Sequence, residues 1–179
     1  MKLTPQFFLT ADTHFDHEKL VSFGRPVDFN ERIIANWNRV VGKNDSILHL
    51  GDLTMTNKEK TMSYCKQLRG KKYLIRGNHD GASDTWYEDC GFTVVEPIFK
   101  IFRDKYDNWN KYLLTHEPVM ELPSGWFNIH GHLHGNSHRG AVPDGNQHFD
   151  VGVDCCDFTP IRLYEVMTTL RKENGLLEQ

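Results

Sequence analysis

Aspartate, asparagine and histidine recur in this 179-residue chain directly after short apolar runs. Ala11-Asp12-Thr13-His14 follows Phe7-Phe8-Leu9, Gly51-Asp52 follows Ile47-Leu48-His49-Leu50, and Gly77-Asn78-His79-Asp80 follows Tyr73-Leu74-Ile75. Thr115-His116 comes after Tyr112-Leu113-Leu114, and Gly131-His132-Leu133-His134 after Phe127-Asn128-Ile129. Asp12, His14, Asp52, Asn78, His116, His132 and His134 are oxygen and nitrogen donors of hard to intermediate character. They suit manganese first, then iron, zinc, nickel or cobalt, and no cysteine stands among them to suggest a thiolate site. Seven donors exceed what one tetrahedral ion takes; they match two divalent ions about 3.5–4 Å apart that share a carboxylate. Asp52, alone after its run, is the natural bridge. Two such ions outweigh Asp12, Asp52 and a hydroxide by about one positive charge, so the centre attracts phosphate and has hydroxide available for in-line attack on phosphorus.

Positioning these groups is a task for strands. Phe7 to Thr10, Ser46 to Leu50 and Lys72 to Arg76 read as strands, the first of them apolar on both faces. Asp12 and His14 lie two apart, so an extended backbone would point both the same way. Between the strands, Asn30 to Val41 carries Ile33, Ile34, Trp37, Val40 and Val41 on one helical stripe, with Asn30 as cap and Gly42 as terminator. Asn57 to Leu68 is a second helix with Met62, Cys65 and Leu68 inward. The first 80 residues thus read β-α-β-α-β, a parallel sheet whose functional groups gather beyond the carboxyl ends of its strands. The second half differs. After a short helix near Ser83 to Cys90 come Thr93–Val95, Ile98–Phe102, Tyr112–Thr115, Phe127–His130 and His148–Val153, and their turns suggest antiparallel pairing. Leu163, Val166, Met167 and Leu170 mark a last amphipathic helix. No repeat or linker interrupts the chain, and one domain over residues 1–179 is expected.

A hydrophobic content of 39% and a charged content of 25% are those of an ordinary soluble globular protein. A net charge of -3 argues against a broad basic surface for duplex DNA, without excluding a small anionic substrate such as a nucleotide. Cys65, Cys90, Cys155 and Cys156 show no zinc-finger spacing and fit reduced thiols in a cytoplasmic protein. No apolar run approaches the roughly 20 residues that cross a bilayer, and no signal peptide is evident. Oligomeric state is not legible.

D-x-H at Asp12 and His14, G-D at Gly51-Asp52, G-N-H-D at Gly77 to Asp80, a lone His116 and G-H-x-H at Gly131 to His134, in that order, resemble the calcineurin-like metallophosphoesterase superfamily. The resemblance implies an α/β fold, a four-layer α/β/β/α sandwich of mixed sheets with flanking helices. It implies one ion held by Asp12, His14, Asp52 and His134, and a second by Asp52, Asn78, His116 and His132. It also implies that His79 faces substrate, protonating the leaving oxygen or stabilising the phosphoryl charge. Leu53-Thr54-Met55-Thr56-Asn57 after Asp52 lacks the second acid and the arginine of the Ser/Thr protein phosphatases. Asp12 to His17, with Arg25-Pro26 and Trp37-Asn38, looks instead like small bacterial and phage phosphoesterases.

The implied activity is a metal-dependent phosphoric ester hydrolase, with phosphodiesters preferred over monoesters because no cap domain is apparent. Monoester hydrolysis, a nuclease acting on single strands or RNA ends, and a non-catalytic scaffold of the same fold are the alternatives. His17 and Arg25, in the loop after Asp12, read either as substrate contacts or as solvated or salt-bridged loop residues. His49, inside an apolar run, reads as a satisfied core histidine, and His130 as structural. His138 and His148 default to surface or loop positions. Trp126 and Phe127 read as core rather than as a platform for a base. Asp80 either orients His79 or caps the helix that follows, capping being preferred.

Overall fold

The computed structural model describes residues 1–103, 109–135 and 145–176, and His138 lies outside them. Two mixed sheets face each other. The first is built from β1 (Phe8–Thr10), β2 (Ser46–His49), β3 (Lys71–Leu74), β4 (Phe92–Val94) and β9 (Ile161–Arg162), in the order β4-β3-β2-β1-β9. The second has β5 (Ile98–Arg103), β6 (Trp109–Leu114), β7 (Trp126–His130) and β8 (His148–Asp150), in that order. Between and after them run α1 (Phe29–Val40), α2 (Lys58–Cys65), α3 (Asp84–Asp89) and α4 (Leu163–Glu173).

Alternation along the strands divides the core in two. Leu9 and Leu48 point to the space between the sheets, where they meet Tyr112, Leu114, Phe127 and Ile129 of the second sheet. Leu163, Val166 and Leu170 of α4 close that layer. Phe8, Ile47, Leu74 and Phe92 point the other way, onto Phe29, Ile33 and Trp37 of α1, Cys65 of α2 and Tyr87 of α3. Trp37 is fully buried, and its indole N–H donates to the Arg69 carbonyl at 2.9 Å. The helical stripe of α1 is thus core, as its period implies. Among the described residues no helix is long and apolar enough to cross a membrane.

Three local expectations are corrected. The second half is not mainly antiparallel: among the described residues only β5–β6 pairs that way in the second sheet, while β6–β7 and β7–β8 are parallel. The connections after β6 and β7 are long enough for crossovers, and they carry His116 and His132. Parallel pairing therefore delivers these histidines to one edge, which hairpins would not. Asn30 does not cap α1. The helix starts at Phe29, and the Asn30 side-chain oxygen accepts instead from the Asp16 backbone N–H at 3.1 Å. The chain at Asp12 and His14 is not extended: their φ values are 58° and 43°, in the left-handed region. The two-residue β9, antiparallel to β1, had no signal of its own.

Candidate metal centre

Strand ends supply the site. β1, β2 and β3 run parallel, so Asp12, Asp52 and Asn78 leave the first sheet at one edge. β6 and β7 run parallel to each other and bring His116 and His132 there from the second. All seven residues expected to bind metal converge. Asp12, His14 and His134 place one ligand atom each within 4.8 Å of one another, as do Asp52, His116 and His132. Asp52 Oδ2 joins the two groups, lying 3.3 Å from His14 Nε2 and 3.4 Å from His116 Nε2. Asn78 Oδ1 sits 2.9 Å from His116 Nε2 and 3.0 Å from His132 Nδ1, a neutral oxygen between two imidazoles.

The backbone is unusual at these positions. Asp12, His14, Asp52, His132 and His134 all have positive φ, five of the eight non-glycine residues that do so among the described residues. Each such residue costs about 1–2 kcal/mol, and their clustering marks a place where geometry is set by function. Glycines permit the close approach. A Cβ at Gly77 would overlap Asp52 Oδ1, and one at Gly131 would overlap Asp12 Oδ2.

Hydrogen bonds fix which atom each ligand presents. His116 Nδ1–H donates to the Leu50 carbonyl at 2.7 Å, leaving the Nε2 lone pair for the site. His134 Nδ1–H donates to Asp154 Oδ2 at 2.7 Å, so its Nε2 faces Asp12 Oδ1 at 3.7 Å. Asp12 Oδ2 accepts the His132 backbone N–H at 2.9 Å, while Asp12 Oδ1 is buried and accepts no hydrogen bond among the described residues. A buried carboxylate oxygen left bare and aimed at imidazoles is costly unless a cation completes it. A cation beside Asp12 fits on that ground, and Asp52, His116 and His132 offer a second group of donors.

The charges respond to burial and to one another. Burial lifts the Asp12 carboxyl well above the usual carboxylate range, with His116 pulling the other way. Burial pushes His14 down to about 4 despite its hydrogen bond to Asp52. At His116 burial also opposes the charge, but the Asp52 hydrogen bond and the charges of Asp12 and Asp52 prevail and raise it to about 9. Burial works against ionisation of Asp52 as well, and the hydrogen bonds from His116 and His14 more than reverse it, holding Asp52 below the ordinary range. Cation binding requires neutral imidazole, so it would displace a proton from His116.

The remaining candidate residues divide. His79 is not among the converging donors. Its side chain is 42% exposed, its ring lies 5.3 Å from that of His14, and its Nε2 is 3.9 Å from Asp52 Oδ2. Its backbone N–H donates to Asp52 Oδ1 at 2.9 Å. His17 also lies against His14, ring centroids 5.6 Å apart, and burial, with the charge of His79, lowers its pKa. Arg25 is buried beneath the loop. Its Nε–H and Nη2–H donate to the two Asp154 oxygens at 2.8 and 2.6 Å, and Nη1 and Nη2 reach the Thr13 and Asp12 carbonyls at 2.9 and 2.7 Å. The salt-bridge reading describes this placement.

Two acids have roles that local sequence does not suggest. Asp154 holds both His134 and Arg25, and nothing in its neighbourhood in sequence marks it out. Asp80 neither caps a helix nor touches His79. Ser83 caps α3 by accepting from the Trp86 N–H, while Asp80, 3% exposed, accepts from the backbone N–H groups of Asp52 (2.7 Å), Leu53 (3.1 Å) and Gly77 (2.9 Å). Its carboxylate pins the loop after β2 to the loop after β3. His49 is fully buried with Nε2 3.0 Å from Thr13 Oγ1, a core histidine as expected, but it is not fully satisfied: its buried Nδ1 has no hydrogen-bond partner among the described residues. His130 is buried as well, 2.9 Å from the Gly131 carbonyl, with its ring against His148. Phe127 is core, and Trp126 stacks on Phe99 with centroids 4.9 Å apart.

The chain is similar to several known proteins. A family model described as calcineurin-like phosphoesterase matches residues 5–154. An uncharacterized protein of Methanocaldococcus jannaschii is 29% identical over 180 residues, covering 93% of this chain and 92% of its own length. The gene 66 protein of Mycobacterium phage L5 is 32% identical over 81 residues, which is 41% of this chain and 39% of that protein. The crystal structure of a protein of unknown function from Aquifex aeolicus superposes with a TM-score of 0.68 at 26% identity, covering 90% of this chain and 97% of that one.

Proposed function

This chain belongs to the calcineurin-like phosphoesterase family, and from that premise we propose that it is a dinuclear, manganese-preferring phosphodiesterase formed by one domain over residues 1–179. The observation that carries the dinuclear reading is the position of Asp52 Oδ2, within 3.4 Å of a histidine from each donor group. Asp12, His14, Asp52 and His134 would hold one ion, and Asp52, Asn78, His116 and His132 the other. When bound, two divalent ions supply positive charge for the phosphoryl oxygens and lower the pKa of water toward neutrality.

The chain's own residues supply the rest. Asn78 contributes an oxygen without negative charge, which keeps the centre cationic and attractive to a phosphate. Asp154 and Arg25 orient His134 by fixing its Nδ1 proton. His79, exposed at the mouth of the site, donates a proton from Nε2 to the leaving oxygen. Asn78 and His79 are both exposed, which leaves room for a phosphate carrying two substituents and supports the diester preference. The four free thiols suit a cytoplasmic setting.

The test is a comparison of bis-p-nitrophenyl phosphate with p-nitrophenyl phosphate on manganese-loaded protein. Faster cleavage of the diester is expected. Much faster cleavage of the monoester would reverse the preference. Absence of both hydrolysis and bound transition metal would leave a scaffold of this fold.

A further inference from the structure

Beside the metal centre, on the His134 side, lies a cleft of about 460 Å³ that the chemistry above does not use. His134, Asp154 and Arg25 form its polar end. Its other walls are apolar: Leu20, Phe23, Pro26 and Phe158. The volume falls within the roughly 300–1,000 Å³ of small-molecule sites. His134 borders both, with Nδ1 on the Asp154 of the cleft and Nε2 toward Asp12, so the cleft lies one side chain away from the metal centre.

Phe23 is the telling residue. It ends a 3-10 turn over Glu18–Phe23, and Gly24 then reverses the chain with φ 107°. Phe23 is left 66% exposed at the rim, with the Lys19 ammonium 5.8 Å from its ring centroid. Phe158 contributes the second ring of the cleft, with the Arg32 guanidinium 5.8 Å from its centroid. The guanidinium of Arg25 does not make the cleft anionophilic, since both Asp154 oxygens compensate its charge. Two aromatic rings beside a charge-compensated polar end suit a flat group that can stack.

We propose that this cleft binds the nucleobase of a nucleoside phosphate ester, with Phe23 stacking on the base, so that the substrate class is nucleotide-derived; the inference rests on the phosphoesterase reading of the adjacent centre. Phe23 would be a specificity-determining residue.

The experiment measures equilibrium binding by titration calorimetry on full-length, manganese-loaded protein. The probes are the phosphonate isosteres of adenosine 5′-monophosphate and of ribose 5-phosphate, whose C–P bonds resist hydrolysis. The adenosine compound is expected to bind about tenfold more tightly, the size of one base–aromatic stack. Phe23→Ala should bring the two within about twofold, and Phe23→Trp should keep the preference. Equal binding of the two probes by the unaltered protein, or an undiminished preference in Phe23→Ala, overturns the proposal. Hydrolysis of bis-p-nitrophenyl phosphate by the same preparations separates the two readings. Base-dependent binding that is lost in Phe23→Ala, without hydrolysis, would sink the enzyme and support the cleft. Hydrolysis with equal probe binding would sink the cleft alone.

Discussion

Replacing Asp80 with alanine should damage this protein more than any change at an exposed acid, and the reason can be counted. The carboxylate is 3% exposed and accepts three backbone N–H groups, those of Asp52, Leu53 and Gly77, at 2.7 to 3.1 Å. Tyr87 donates a fourth, weaker bond at 3.3 Å. Alanine leaves these donors buried without an acceptor, at about 1–3 kcal/mol each. Some relief comes from removing a buried charge, because burial raises the Asp80 pKa against the pull of the same backbone bonds. A net loss of roughly 3–5 kcal/mol is expected, or on the order of 6–20 °C in melting temperature for a chain of this size. Asp80→Asn should fall between, since one amide oxygen can serve Asp52 and Gly77 while its NH₂ opposes the Leu53 N–H. Urea unfolding of metal-free protein gives the stability, and elemental analysis after manganese loading gives the ion count. The pinned loops carry Asp52 and Asn78, so ion content should fall together with stability. A stability change under about 1 kcal/mol in Asp80→Ala would refute the reasoning, because water would then have replaced the carboxylate at no cost.

The other predictions follow from the same contacts. His79→Ala should remove most turnover while leaving metal content near two ions per chain; loss of one ion would make His79 a ligand instead. Asp154→Ala should weaken manganese binding by about 10–100-fold, read by metal titration, since His134 loses the acceptor that fixes its proton on Nδ1. His148 is pushed down to about 4 by burial and by the charge of His130, so the unfolded chain binds its proton more readily than the folded one. Its contribution is therefore fully present above about pH 6.5 and is lost as pH falls through about 4. Urea midpoints measured across that range should fall less steeply in His148→Gln than in the unaltered protein, and an identical slope would exclude His148.

Much of the site could be read without coordinates because its members end strands, and strand ends are visible as apolar runs followed by polar residues. The α1 stripe from Ile33 to Val41 was equally plain, since burial of one face imposes its period on the sequence. What escaped was long-range. Asp154 meets Arg25 across 129 residues, and no local pattern encodes that pairing. Asp80 has the look of a helix cap because Asp often is one, yet Ser83 three residues later takes that place and frees Asp80 to bind two loops. The parallel pairing of β6, β7 and β8 was missed because short strands joined by polar segments look alike whether the chain turns or crosses over. Left-handed backbone at His14, His132 and His134 was unreadable as well, since glycine is the residue that ordinarily signals it.

That left-handed backbone has an evolutionary corollary. Five residues held at positive φ in one place are a standing local penalty, tolerated because each side chain must point at the same small volume. In a lineage no longer selected for hydrolysis, replacing the three histidines among them with asparagine, which accepts that conformation more readily, would relieve strain and leave both cores intact. Decay would then begin at the edge that gathers the candidate ligands and spread inward late. A descendant of this protein that had lost its chemistry should still fold, and should melt higher than its working ancestor stripped of metal.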